Sequence, residues 1–201
     1  MTGLASPARS CGKSGRADKG WRRLRHLLAW IAFWFWAGTA QAAVEIRFHS
    51  KDFGATFPHA FIVLTGTLDA TGEPVDANFG FTVRNLIGPS ALFGAVEGIV
   101  ESAEPPYIES ANFHFALMLS DDEYRRVMAL VERWRALPQP SYRLMRRNCV
   151  SFVAEIATLL GLSADPRGLM RRPRAFLDRV RQANAATIAA RAPRGAASAG
   201  R

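Results

Sequence analysis

Thiols are scarce in this chain. Its 201 residues hold two cysteines, Cys11 and Cys149, too few for a disulfide scaffold. Also missing are a Walker-type Gly-Lys-Ser/Thr loop, a zinc-knuckle spacing, an aromatic-basic RNA motif and a calcium-loop pattern. No two histidines stand at metal-ligand spacing, so neither a metal nor a cofactor is expected. The longest uncharged apolar run, Leu27 to Gly38, is 12 residues, short of the roughly 20 that span a bilayer. Acidic residues are few near both ends, and this accounts for the formal charge of +9. Residues 1–42 carry seven Lys/Arg against Asp18, and Arg167 onward carries nine Arg against Asp178. Residues 43–166 carry 10 basic and 15 acidic side chains, a net −5. The basicity therefore belongs to the termini, which argues for targeting or solvated tails and against nucleic-acid recognition.

The amino-terminal segment has the order of a secretory leader. A basic flank (Trp21 to His26) precedes the apolar run, and Ala40 and Ala42 stand at the A-x-A spacing of a cleavage site. Residues 1–42 are read as a signal peptide with cleavage near Ala42, and the protein as exported to the periplasm or outside. Cys11 leaves with the leader, so the mature chain holds one thiol and cannot close an internal disulfide. A single thiol in an oxidising compartment is buried, paired between chains, or used.

Hydrophobic periodicity then sets the class. Alternation over 44–49 predicts a half-buried strand. Residues 59–66 and 74–83 flank the turn Asp69-Ala70-Thr71-Gly72 and predict a hairpin. Further strands are expected at 95–101 and 112–119, with Pro105-Pro106 as a break between them. Ser120-Asp-Asp-Glu123 is a capping box, opening a helix to about Leu137. Asn148 is a favoured N-cap for a second helix that Gly161 ends. Residues 173–187 predict an Arg-studded helix, and 191–201 a disordered tail. Strands precede helices, so the expected class is α+β, an antiparallel sheet packed against helices. One domain is expected over 43–166, with 167–201 as a basic helix and tail outside it. That tail is a candidate for peripheral contact with anionic membrane; a solvated face is the plainer reading.

Cys149 would be the first residue of the second helix. Helix-terminal amides and the neighbouring Arg146 and Arg147 favour the thiolate there; a small buried hydrophobe is the competing reading. A nucleophilic cysteine needs an imidazole within reach. The mature chain offers His49, His59 and His114. His49 alternates onto the polar face of its strand, and His114 sits between two phenylalanines as a sheet histidine. His59 heads an apolar strand at the rim of the sheet.

"HAFIVLTG" (59–66) and, much later, "NCVSFVAEIA" (148–157) together resemble the circularly permuted branch of the papain-like superfamily. That branch is similar to NlpC-type endopeptidases and includes lecithin:retinol acyltransferase-like members. The resemblance implies a permuted papain-like core, with Cys149 as nucleophile and His59 as general base and later acid. It also implies a third polar residue on the following strand. A hairpin turning at 69–72 sets Asn78 opposite Val63 and Asp76 opposite Thr65, so Asn78 lies nearer His59 and is preferred to Asp76; His49 and His114 stay open for this role. The Cys149 amide, beside the Asn148 cap, would hold the oxyanion. The implied activity is a thiol amidase, peptidase or acyltransferase acting on an envelope peptide, amide or lipid. The alternative is a non-catalytic envelope module of the same fold, with Cys149 buried and structural.

Overall fold

In a computed structural model, residues 44–52, 58–84 and 94–193 are described. Residues 1–42, with the expected leader, and 194–201 lie outside them. Among the described residues no helix is long and apolar enough to cross a membrane.

The fold is α+β. Five strands, β1 (Val44–Lys51), β2 (His59–Thr67), β3 (Pro74–Val83), β4 (Gly98–Glu101) and β5 (Asn112–Leu119), form one sheet in the order β4-β3-β2-β1-β5. Every pairing is antiparallel. The β2–β3 register places Val63 opposite Asn78 and Thr65 opposite Asp76, as the turn at 69–72 requires. The helices are α1 (Pro105–Glu109), α2 (Asp121–Arg135), α3 (Cys149–Leu159), α4 (Pro173–Ala183) and α5 (Ala185–Ala190). Pro105-Pro106, expected as a break, instead opens α1. Proline suits the first helical turn, where its missing N–H has no partner to lose.

One face of the sheet is buried by helices. Val44, Ile46 and Phe48 of β1, Ala60, Ile62 and Leu64 of β2, and Phe115, Leu117 and Leu119 of β5 point into the core. The apolar stripe of α3, with Val150, Phe152, Val153 and Ile156, packs on β2 and β3. Trp134 joins α2 to this layer, its ring edge-on to Phe81 at 4.8 Å and to Phe152 at 5.3 Å, while its indole N–H donates to Glu155 at 2.7 Å. Both expected caps form. Ser120 and Glu123 bond reciprocally at the start of α2, and Asn148 caps α3.

The carboxy-terminal segment departs from expectation. Helix α4 covers β1 and β5, and its Phe176, Leu177 and Val180 are part of the central core. The domain therefore continues past residue 166, because the arginines of α4 take the outer face while the apolar stripe faces the sheet. Arg191, expected in a solvated tail, has its guanidinium bonded to the carbonyls of Leu160 and Met118 and paired with Glu123 at 2.8 Å.

Candidate functional site

Cys149 is the first residue of α3, and the element before it is held tightly. The Asn148 side-chain oxygen accepts from the amides of Val150 (2.9 Å) and Ser151 (3.2 Å). Its NH2 group donates to the carbonyls of Leu144 (2.7 Å) and Met170 (2.6 Å). Both ends of the Asn148 amide are thus occupied, and its role is a cap that also ties two loops to the helix. It has no donor left for an oxyanion. The Cys149 amide stays the candidate for that role.

The Cys149 sulfur lies where α3 meets the start of β2. Backbone N–H groups of Ala60, Val150 and Cys149 bear on it, so the peptide linking His59 to Ala60 abuts the sulfur. Strand pairing between β2 and β3 runs only from Ile62 toward the hairpin. The sulfur therefore meets β2 just beyond the paired region. Cys149 is 5% exposed, and burial pushes its pKa up to about 11 against the opposing pull of the three amides. This corrects the expectation of a thiolate. Arg146 and Arg147 are exposed, and water screens charges so placed, whereas desolvation acts on the sulfur in full.

The His59 ring lies against Phe61 and Gly80. It stacks on Phe61, with centroids 6.1 Å apart and planes 12° apart, and its Nε2 occupies the space a side chain at residue 80 would need. A Cβ built on Gly80 would stand 2.3 Å from Nε2. The edge of the residue reaches solvent, yet the ring is packed deeply enough that burial lowers its pKa to about 4. Cys149 and His59 are accordingly both neutral near pH 7. Burial raises the pKa of Tyr107 of α1 and of Tyr142, and a charge on Cys149 would raise both further, so both phenols border the sulfur. Tyr107 packs 5.7 Å from Phe61, the ring on which His59 also stacks. Neither tyrosine stood out in the sequence, because each reaches the site from a segment without a regular pattern.

Asn78 is not beside His59. Opposite Val63, it lies four residues along the ladder from His59. Its side chain is spent on Ala103, accepting from the amide at 2.5 Å and donating to the carbonyl at 3.1 Å, while Ser102 Oγ donates to its backbone carbonyl at 2.8 Å. This clamp fixes the segment leading into α1, and hence Tyr107. Replacing Asn78 with Ala is expected to destabilise the fold by about 1–3 kcal/mol, since it leaves the partly buried Ala103 groups unsatisfied. Urea unfolding would measure it, and the same loss should loosen Tyr107. Asp76, opposite Thr65, is exposed and two residues farther still. No side chain on β3 orients the imidazole, because the position facing it is a glycine.

The other histidines have separate surroundings. His114 Nδ1 lies 3.0 Å from Asp178 Oδ1, and its Nε2 2.8 Å from Ser50 Oγ. A carboxylate only accepts, so Nδ1 carries the proton and Nε2 accepts from the hydroxyl. The Ser50–His114–Asp178 order is that of a hydrolytic triad. Ser50, however, is 0% exposed, and the chain serves to fasten α4 to the sheet. His49 lies between Phe61 (5.4 Å) and Phe113 (5.6 Å) on the opposite face of the sheet from the helices. Its expected solvation is corrected: the residue is buried, and neither ring nitrogen has a partner among the described residues. Burial, with help from the charges of Arg47 and His114, lowers its pKa to about 4.

The chain matches no family model, no curated protein and no solved structure.

Proposed function

We propose that this protein is an exported cysteine-dependent hydrolase or acyltransferase that acts on an amide or ester bond in the cell envelope, on a permuted papain-like core. The observation that carries this reading is the contact between the Cys149 sulfur and the amide of Ala60, the residue after His59. Residues 60 and 149, 89 apart in sequence, meet at the mouth of α3, and a thiol hydrolase needs an imidazole beside its sulfur.

In this mechanism the neutral thiol attacks the carbonyl carbon as its proton passes to the His59 imidazole, so that thiolate forms only with the substrate in place. The Cys149 amide stabilises the oxyanion. The imidazolium then protonates the leaving amine or alcohol, and a thioester remains on Cys149. Water, or an acceptor amine or hydroxyl, gives its proton to His59 and attacks the thioester, which restores the thiol. The envelope address rests on the leader pattern of residues 1–42.

The deep burial of Cys149 and its raised pKa favour the second reading, a non-catalytic envelope module with a structural cysteine. Incubation with an activated acyl ester separates the two. The hydrolase reading expects a one-to-one acyl adduct on Cys149 by intact mass, absent in Cys149→Ala and formed at least 100-fold more slowly in His59→Ala. Equal adduct formation in wild type and His59→Ala, or none in wild type, leaves the structural module.

A further inference from the structure

Five arginines surround the entrance to α3. Residues 143–147 form a tight turn closed by two reciprocal backbone bonds, Arg143 N–H to the Arg147 carbonyl (2.9 Å) and Arg147 N–H to that of Arg143 (2.8 Å). Asn148 ties this turn to the segment before α4, because its NH2 group holds the Leu144 and Met170 carbonyls at once. Arg143, Arg146 and Arg147 on the turn, and Arg171 and Arg172 beyond Met170, are thus gathered around one clamp. All five are exposed. Their neighbours are neutralised, Arg167 by Asp165, Arg174 by Asp52 and Arg181 by Asp178, whereas these five make no ion pair among the described residues. At the tip of the turn stands Met145, 60% exposed, one of two large apolar side chains so exposed among the described residues.

We infer that this turn docks the protein on an anionic lipid surface, with the arginines on headgroup phosphates and Met145 entering the interface. Clustered guanidinium groups match phosphate geometry and are drawn to an anionic leaflet by about 1 kcal/mol each. A soluble polyanion would satisfy the arginines equally, but it offers nothing to an exposed thioether, whereas a lipid interface removes it from water. The contact that the sequence offers as a candidate for residues 167–201 is thereby placed on a folded patch next to Cys149, to which Arg171 and Arg172 of that segment contribute. The inference does not depend on the chemistry of Cys149.

Every arm of the test uses the full chain carrying Cys149→Ala, so catalysis plays no part. Sedimentation with phosphatidylglycerol/phosphatidylcholine vesicles is compared with phosphatidylcholine alone. Binding should require phosphatidylglycerol. Arg143→Gln/Arg146→Gln/Arg147→Gln together should weaken it roughly 100-fold, about fivefold per arginine, and Met145→Ser should weaken it severalfold. Arg125→Gln/Arg126→Gln, on arginines already paired with Asp122, should change it less than twofold. Vesicle binding indifferent to the triple substitution would overturn the inference and return the contact to a terminus. So would a loss on arginine substitution with no effect of Met145→Ser and equal competition by soluble polyphosphate, which would mark a polyanion site.

Discussion

Adding one methyl group at residue 80 is expected to slow acylation of Cys149 about 100-fold while leaving the protein folded. A Cβ at Gly80 would meet His59 Nε2 at 2.3 Å and Cε1 at 3.2 Å. The imidazole must withdraw by about 1 Å to restore ordinary contact, a misplacement of the size that costs a catalytic pair on the order of 10²-fold. The obstruction is the end of a rotatable side chain, and the Phe61 Cβ at 3.2 Å needs only a small adjustment, so unfolding stability should fall by less than about 1.5 kcal/mol. The comparison to make is the rate of adduct formation and the urea midpoint of Gly80→Ala beside those of His59→Ala. Acylation at the wild-type rate in Gly80→Ala would show that the position of the His59 ring is irrelevant to the sulfur.

The largest stability effect is expected from acid, and His49 should account for much of it. The folded values of His49 and His59 are about 4, and an unfolded histidine titrates near 6.5. The folded pKa is depressed, so the unfolded chain binds more protons between these limits. The contribution is therefore complete above about pH 6.5 and is lost as pH falls toward 4. A shift of this size amounts to about 3 kcal/mol per histidine. His114, also lowered by burial although Asp178 opposes the change, acts in the same direction. His49→Phe removes two buried nitrogens that have no partner among the described residues and keeps a ring between Phe61 and Phe113. It should raise stability at pH 5 by about 2 kcal/mol or more and flatten the pH dependence below 6.5. Urea unfolding at pH 7.5 and pH 5 reads both quantities, and His49→Leu serves as the smaller substitute. An unchanged pH slope in both variants would remove His49 from the account.

These expectations rest on features of two kinds. Turn chemistry at Asp69 to Gly72 determines which residues of β2 and β3 face one another, and the pairing of Val63 with Asn78 follows directly. The caps at Ser120 and Asn148 are equally local, since each satisfies amides within three residues. The partner of Asn78 was not legible. Parity placed it on the face of His59, but nothing along the chain indicated that residues 102–104 would fold back on it. Nor was the place of α4. Its arginines dominate the local pattern, while the stripe of Phe176, Leu177 and Val180 has a sheet to cover.

Local sequence is enough to make Cys149 open a helix after an Asn cap, to make His59 head a strand, and to set the register in which that strand meets the next. Such outcomes depend on hydrogen bonds and rotamers within a few residues. Long-range packing brought the amide that follows His59 against the sulfur, kept the thiol neutral and set Gly80 against the imidazole. Desolvation depends on how much of the chain packs around a group, and here it outweighs the helix-terminal field that local reading assigned to the sulfur.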